Sequence, residues 1–170
     1  MIKILFICHG NICRSVMAEF VMKKIVADAK QEEDFYIESA AVSSEEIGNH
    51  IYPLAKDCLY RHGIQNKEIN IKTARQITKR DYEEFDYLII AEEYNRRGAL
   101  RIFGNGAENK IHKLLDYSED ENLKREDIDD PWYTRDFDKA YEDIVSGCEG
   151  LLKYCEKCED GFWKSKFLFE

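Results

Sequence analysis

The sequence predicts an α/β fold: a single doubly wound, four-stranded parallel sheet with helices on both faces. Three observations lead to this prediction. Short apolar runs alternate along the chain with segments in which apolar residues recur at helical spacing. The first strand, helix and second strand form a βαβ unit, whose crossover is expected to be right-handed. The length of 170 residues, 44% of them hydrophobic, suits one compact domain with a substantial core.

The βαβ unit occupies about the first 42 residues. A mostly apolar run over residues 2–7 predicts a strand that is buried on both faces, and residues 35–42 predict the second strand. Between them, a helix from about residue 14 to residue 29 is predicted from apolar residues at helical spacing: Met17, Phe20, Val21 and Ile25.

The remaining elements alternate in the same way. Two further apolar runs predict the third and fourth strands, over residues 87–91 and 111–115. Helices are predicted over residues 53–62, from the capping-box sequence at Thr78, and over residues 92–101. From Asp136, an N-cap residue type, a long apolar stripe that reaches Cys155 predicts the closing helix.

Residues 8–15, Cys-His-Gly-Asn-Ile-Cys-Arg-Ser, lie between the first strand and the first helix. A loop in this position presents backbone N–H groups at the N-terminus of a helix, where an anion is favoured. Gly10 and Asn11 are residue types that tolerate left-handed backbone angles, so we expect both to help form a tight loop. The sequence therefore predicts a phosphate-binding loop after the first strand.

The same loop carries reactive side chains. The field that favours an anion also favours the thiolate form of Cys8, which is the nucleophilic form of a cysteine. Arg14 offers a planar set of donors that suits two phosphoryl oxygens at once. Ser15 can donate a hydrogen bond to the sulfur of Cys8. These residues predict a cysteine nucleophile that acts on a phosphate ester.

The loop resembles the signature Cys-x-Gly-Asn-Ile-Cys-Arg-Ser of the low-molecular-weight protein tyrosine phosphatases, and the likeness covers about residues 2–158. The resemblance implies hydrolysis of phosphotyrosine, an aryl phosphate monoester, through a cysteinyl-phosphate intermediate, with inorganic phosphate as product. It implies no metal and no other cofactor. Cys8 and Arg14 would be catalytic, and the substrate would be bound by His9, Gly10, Asn11, Ile12, Cys13 and Ser15.

A second motif, Asp130-Pro131-Trp132-Tyr133, closes an acidic stretch of the chain. Pro131 restricts Asp130 to an extended conformation, which fixes its carboxyl group at the end of the loop. In the resembled family an Asp-Pro-aromatic motif supplies the general acid, which implies this catalytic role for Asp130. We expect Trp132 and Tyr133 to wall a deep cleft that suits phosphotyrosine, with core packing as the alternative for either ring.

Two segments depart from the resembled family. The loop after the second strand usually brings an aromatic residue to the rim of the cleft, whereas this chain has Ser44, Glu45 and Glu46. Lys72 stands where a histidine commonly supports the loop asparagine. Lys72 is otherwise interpreted as a solvated surface lysine.

Three alternative functions share parts of this pattern. Related arginine phosphatases carry threonine at the position of Ile12, and isoleucine here favours phosphotyrosine. Arsenate reductases of the same fold use a cysteine pair in mid-chain, where Cys58 stands alone. A non-catalytic phosphopeptide-binding module would need neither Cys8 nor Asp130. Cys13 is either a packing thiol or the partner of Cys8 in a reversible disulfide.

Composition limits the partners and the location. A net charge of −9 and a pI near 5.1 argue against nucleic acid as a partner, and no apolar stretch approaches the ~20 residues of a membrane span. Without a signal peptide, and with a thiolate that needs reducing conditions, the chain is predicted to be cytoplasmic and to act on phosphotyrosine proteins. Residues 1–158 are expected to form the phosphatase domain, followed by an aromatic C-terminal tail over residues 159–170.

Overall fold

A computed structural model of the protein describes the backbone of residues 1–166 and the side chains of residues 1–158. Within this part of the chain, four strands form one sheet in the order β2-β1-β3-β4, and every neighbouring pair is parallel. This arrangement confirms the predicted α/β fold. The strands are β1 (Ile2–Cys8), β2 (Phe35–Ala41), β3 (Tyr87–Ile90) and β4 (Ile111–Lys113).

Helices lie on both faces of the sheet, as predicted. They are α1 (Arg14–Asp28), α2 (Pro53–Arg61), α3 (Lys79–Glu84), α4 (Glu93–Phe103), α5 (Pro131–Thr134) and α6 (Phe137–Lys166). Side chains of β1 alternate between two hydrophobic cores: Ile4 and Phe6 belong to the core that contains α1 and α6, and Leu5 and Ile7 to the core that contains α4. In the described part of the chain, no helix has a stretch long and apolar enough to span a membrane.

The strand order places the loop after β1 at a topological switch point. From β1 the chain passes to β2 on one side, and later to β3 on the other. Cys8 is paired with Ala41 of β2, and Ile7 is paired with Ile90 of β3. Open α/β sheets bind ligands at such a point, outside the carboxyl ends of the strands. The loop that follows Cys8 therefore lies where the fold favours a site.

The fourth strand is shorter than predicted. It ends at Lys113, and the residues after it form a 3₁₀ turn over Leu114–Tyr117, so the predicted strand over 111–115 is wrong at its end. Asp116 accepts a hydrogen bond from the backbone N–H of Lys113 at 3.0 Å and caps this turn. The turn brings Leu114 and Leu115 into the same core, whereas consecutive residues of a strand would face opposite sides of the sheet.

The closing helix α6 begins where the sequence predicts. Asp136 precedes it, and the Asp136 carboxylate accepts a hydrogen bond from the backbone N–H of Lys139 at 2.9 Å. The apolar stripe of α6 includes Phe137, Ile144 and Leu151, which belong to the core shared with α1. The side chains of the predicted aromatic tail, residues 159–170, lie outside the described residues, so the tail stays a prediction.

Candidate active site

Cys8 is the last residue of β1, and its side chain is buried at the base of the loop. The Cys8 Sγ atom lies 3.0 Å from the hydroxyl oxygen of Ser15, which is the contact that the sequence predicts. The backbone N–H of Asn11 donates to the same sulfur at 3.3 Å. Two donors directed at one sulfur stabilise a thiolate.

Asn11 is the residue that turns the loop. It adopts left-handed backbone angles, with φ of 60°, whereas Gly10 does not. A Cβ atom at position 10 would lie 3.3 Å from Cγ of Glu46, so the Glu46 side chain would have to move by a few tenths of an ångström to make room for it. The Asn11 side chain fixes the turn: its Nδ2 atom donates to Ser15 and to Ser39, both at 2.9 Å, and Oδ1 accepts from the N–H of Arg75 at 3.2 Å.

Behind Asn11 lies a small polar network that includes Lys72. The hydroxyl of Ser39 donates to the buried carboxylate of Glu19 at 2.5 Å. Lys72 Nζ lies 2.9 Å from the same carboxylate and 3.2 Å from the carbonyl oxygen of Ser39. The side chain of Lys72 is only 16% exposed. Lys72 is therefore a member of the support behind the loop, and its interpretation as a solvated surface lysine is wrong.

Arg14, the first residue of α1, is buried beside Cys8. One guanidinium nitrogen donates to the carbonyl oxygen of Ile128 at 2.9 Å. The other donates to Glu92 at 3.0 Å and to Asp130 at 2.9 Å. Burial acts to lower the pKa of the guanidinium, but the charges of Cys8 and of the two carboxylates outweigh it and raise that pKa. Arg14 is thus a fixed cation in the site.

Backbone donors complete the loop. Helix α1 begins at Arg14, and its N-cap residue, Cys13, makes no capping hydrogen bond through its side chain. Within the described part of the chain, the N–H groups of Gly10, Ile12 and Cys13 have no protein acceptor. Unpaired amides at a helix N-terminus favour an anion. Together with Arg14 they form a site for the oxygens of a phosphoryl group.

Asp130 approaches this site from a different part of the chain. It is the N-cap of α5, where its Oδ1 atom accepts a hydrogen bond from the backbone N–H of Trp132 at 3.1 Å. Its other oxygen faces Arg14, and 23% of its side chain is exposed. The Asp-Pro-Trp-Tyr motif therefore brings a carboxyl group next to the phosphate-binding loop, although Asp130 is 116 residues away from Arg14 in the sequence.

All but two of the residues predicted to bind or act on substrate line one cleft of about 190 Å³; the exceptions are Asn11 and Ser15. Trp132 and Tyr133 are 45% and 81% exposed, so they line the cleft rather than pack in the core. The Trp132 ring is held edge-on against Tyr52, with 4.9 Å between ring centroids. The cleft is lined by Cys8, His9, Gly10, Ile12, Cys13, Arg14, Glu45, Glu46, Asp130, Trp132 and Tyr133; Asn11 and Ser15 lie behind the loop.

Comparison with known proteins agrees with this geometry. Residues 3–160 match the family model described as low molecular weight phosphotyrosine protein phosphatase. The chain belongs to this family. A low molecular weight phosphotyrosine protein phosphatase of Gallus gallus is 39% identical over 155 residues, which cover 89% of this chain and 94% of the relative. The low molecular weight protein-tyrosine-phosphatase YfkJ of Bacillus subtilis is 38% identical over 159 residues, or 92% and 97% of the two chains.

The fold is shared as well. The crystal structure of YfkJ from Bacillus subtilis superposes with a TM-score of 0.85 at 36% identity, covering 92% of this chain and 96% of that structure. Members of this phosphatase family are metal-independent, cysteine-based hydrolases, and this chain is one of them. The family assignment confirms the enzyme class that the sequence predicts.

The second cysteine of the phosphatase loop differs from Cys8 in its chemistry. Cys13 is buried, and the pKa of its thiol is raised first by burial and further by the charges of Cys8 and Asp130. The Cys13 thiol therefore keeps its proton at neutral pH, and the thiol form is a poor nucleophile.

One functional residue of the phosphatase site is missed by the sequence reasoning. Glu92 anchors Arg14, and its backbone N–H donates to Asn95 at 3.1 Å, where α4 begins. The position of Glu92 carries a usable signal, because it comes two residues after the end of β3, directly after the buried Ala91. A carboxylate at the carboxyl end of a central parallel strand lies at the same edge of the sheet as the loop.

Proposed function

We propose that this phosphatase hydrolyses phosphotyrosine in proteins, with Cys8 as nucleophile, Arg14 as the oxyanion-binding cation and Asp130 as general acid. The observation that carries the proposal is the convergence of these three side chains on one cleft whose floor is a loop of unpaired amides. Each group has the chemistry that its step requires. Inorganic phosphate is the product released.

In the first step, the Cys8 sulfur attacks phosphorus in line with the bond to the leaving oxygen. The amides of the loop and Arg14 bind the three equatorial oxygens and stabilise the charge that shifts onto them. Asp130 gives its proton to the leaving phenolate, so that the S–P bond forms as the P–O bond breaks. The products of this step are a free phenol and a cysteinyl-phosphate.

In the second step, water attacks the cysteinyl-phosphate. Asp130, now a carboxylate, takes a proton from that water, and the S–P bond breaks to return the Cys8 thiolate. The Ser15 hydroxyl, 3.0 Å from the sulfur, stabilises the departing thiolate by hydrogen bonding. The cycle uses no group beyond this chain and water.

The contact between Arg14 and Asp130 links substrate binding to acid catalysis. Before substrate enters, one Asp130 oxygen accepts a hydrogen bond from the Arg14 guanidinium at 2.9 Å. A phosphoryl oxygen that binds Arg14 replaces this contact, and the released carboxyl group can then face the leaving oxygen. The contacts of Arg14 to Glu92 and Ile128 keep the guanidinium in place during the exchange.

The walls of the cleft support an aryl phosphate as substrate. Trp132 and Tyr133 offer apolar ring surfaces at the mouth, above a nucleophile that is buried at the floor. A phenol is long enough to place its phosphorus at Cys8 while its ring contacts these side chains, whereas the shorter serine phosphate does not bring a ring into the cleft.

The proposal extends to the cellular location, the partners and the domain organisation of the protein. A catalytic thiolate requires reducing conditions, which supports action in the cytoplasm. The acidic surface, with a net charge of −9, supports phosphoproteins rather than nucleic acid as partners. We assign residues 1–158 to the catalytic domain and residues 159–170, which begin within α6, to a C-terminal tail.

The experiment that tests the function is turnover by EDTA-treated enzyme of a phosphotyrosine peptide and a phosphoarginine peptide, measured side by side. We expect hydrolysis of phosphotyrosine that is abolished in Cys8→Ser. Cys158→Ser, which replaces an exposed thiol outside the cleft, is the matched control and should retain full activity. Hydrolysis of phosphoarginine alone, or phosphotyrosine turnover that survives in Cys8→Ser, would overturn the proposal.

A further inference from the structure

A second cavity, of about 360 Å³, opens beside the catalytic cleft. We call it the α4 groove and define it by Val42, Ser44, Gln76, Tyr94, Arg97 and Arg101. His9 and Glu45 line both the groove and the cleft, and their side chains are 3.0 Å apart. The groove is therefore a continuation of the active site on the far side of the His9–Glu45 contact.

The wall of the α4 groove is basic, although the protein as a whole is strongly acidic. Arg97 and Arg101 lie one turn apart on α4, and both are exposed. Among the described residues, neither has a carboxylate partner, whereas the adjacent Arg96 pairs with Glu93 at 2.7 Å. Two unpaired guanidinium groups on one wall attract an anion, and a guanidinium suits the planar shape of a carboxylate.

The position of the two arginines is fixed relative to the nucleophile. Gly98 lies between them in sequence, and a Cβ atom there would be 2.7 Å from Cβ of Val42. Helix α4 therefore packs directly on Val42, whose N–H donates to the carbonyl oxygen of Cys8 at 2.9 Å. Two tight contacts thus connect the basic wall to the strand that carries Cys8.

We propose that the α4 groove binds an acidic side chain of the phosphotyrosine substrate, and this inference rests on the function proposed above. A peptide whose phosphotyrosine enters the cleft passes over His9 and Glu45 and then reaches Arg97 and Arg101. Glu45 repels an acidic residue directly beside the phosphotyrosine, while the arginines attract one farther along. The groove therefore selects acidic residues on one side of the phosphotyrosine and at a distance from it.

The test uses phosphotyrosine peptides that carry a single Glu or Gln at each of the four positions on either side. For the native enzyme we expect Glu to raise kcat/KM roughly two- to thirtyfold over Gln, which corresponds to about 0.4–2 kcal/mol for two exposed charge pairs together. The increase should occur on one side only, two or more residues from the phosphotyrosine. It should shrink in high salt, which screens exposed charges.

Arg97→Gln/Arg101→Gln should lose the preference for Glu while hydrolysis of p-nitrophenyl phosphate stays unchanged, since that substrate does not reach the groove. Lys24→Gln/Arg80→Gln removes the same charge from positions outside both cavities and should keep the preference.

Dissociation constants of the same peptides for the Cys8→Ser variant report on the groove without turnover. A preference that persists in the arginine double variant, or equal binding of Glu and Gln peptides, would overturn the inference. Absence of phosphotyrosine hydrolysis with a retained binding preference would overturn only the proposed function.

Discussion

Arg14 is the largest fully buried side chain of the described residues, and the site depends on how its charge is satisfied. A buried cation is costly unless it is paired and hydrogen-bonded. Here one carbonyl oxygen and two carboxylates accept from the guanidinium, at 2.9–3.0 Å. The fold thus fixes the guanidinium that we propose binds the phosphoryl oxygens before the substrate arrives, and such preorganised donors are a large source of electrostatic stabilisation of a transition state.

The proposed role of Asp130 can be tested by changing the leaving group. Asp130→Asn keeps the oxygen that accepts from the Trp132 N–H, so the cap of α5 is retained, but the side chain has no acidic proton to give. We expect kcat/KM for phenyl phosphates with poor leaving groups to fall by about 10²–10⁴-fold, and the loss to shrink as the leaving phenol becomes more acidic.

The measurement is the slope of log kcat/KM against leaving-group acidity, for native enzyme and for Asp130→Asn. Asp129→Asn, which alters the adjacent exposed carboxylate, should leave the native slope unchanged. Parallel slopes for native enzyme and Asp130→Asn would show that Asp130 does not protonate the leaving group.

Lys72 gives a second test at this scale. Its ammonium group pairs with the buried carboxylate of Glu19 at 2.9 Å, and Lys23 is the other cation on that carboxylate, at 2.8 Å. Lys72→Met leaves the buried Glu19 carboxylate with one cationic partner, Lys23, so we expect a loss of about 1–2 kcal/mol in the free energy of unfolding. Because the Glu19 carboxylate accepts from Ser39, which holds Asn11, kcat/KM should fall as well.

Urea denaturation and peptide turnover measure these two effects of Lys72→Met. Lys72→His restores a donor of the type common in the family and should recover most of both losses. Lys67→Met, at an exposed lysine, is the control and should change neither quantity. Native stability and turnover in Lys72→Met would mean that the loop asparagine does not need this support.

At the scale of elements, α6 lies unusually close to the turn that follows β4. A Cβ atom on Gly150 would lie 1.8 Å from the carbonyl oxygen of Tyr117, and one on Gly147 would lie 2.5 Å from Cγ of Leu114. Both neighbours are parts of the 3₁₀ turn over Leu114–Tyr117. Glycine therefore allows the closing helix to cover the turn and bury Leu114 and Leu115 in the core shared with α1.

Gly150→Ala tests this packing. The added methyl group meets backbone rather than a flexible side chain, so the helix or the turn must shift. We expect the free energy of unfolding to fall by about 1–3 kcal/mol. Gly106→Ala is the matched control, because no atom lies within 4 Å of its added Cβ, and it should change stability by less than about 0.5 kcal/mol. The midpoints of urea unfolding compare the two. Equal midpoints would show that the contact relaxes at no cost.

Elements that are formed by residues close together in the sequence can be predicted from it, and contacts between distant segments cannot. Strands β1 to β3 and the reactive loop are encoded in consecutive residues, and the sequence predicts them closely. The end of β4 is not encoded in this way, because a run of apolar residues does not reveal that Leu114 and Leu115 share one core. Glu92 and Lys72 acquire their functions only when separate elements bring them to Arg14 and Glu19, and a single sequence carries no direct signal of such contacts.

At the scale of the whole molecule, the fold buries, fully or in part, several described groups that would otherwise ionise in alkali. Burial raises the pKa of the Cys148 thiol, and the charge of Glu149 adds to this effect. Burial is likewise the largest cause of the raised pKa values of Tyr87 and Tyr117. In the unfolded chain these groups titrate at ordinary values, about 8.5 for a thiol and 10 for a phenol. The unfolded state therefore releases its protons at a lower pH than the folded state does.

This difference predicts that stability falls as the pH rises above about 9. There the unfolded state binds fewer protons than the folded state, so the free energy of unfolding declines with pH, by about 1.4 kcal/mol per pH unit for the fully buried Cys148 and by less for the partly exposed Tyr87 and Tyr117. Cys148→Ala removes one of these groups. We expect the slope of unfolding free energy against pH, between about pH 9 and 10.5, to become shallower by up to that amount.

Leu151→Ala creates a cavity in the same core without removing a titrating group, so it should lower stability at every pH and leave the slope unchanged. Urea unfolding at a series of pH values measures both, and identical slopes for Cys148→Ala and Leu151→Ala would show that the Cys148 thiol does not hold its proton in the folded protein.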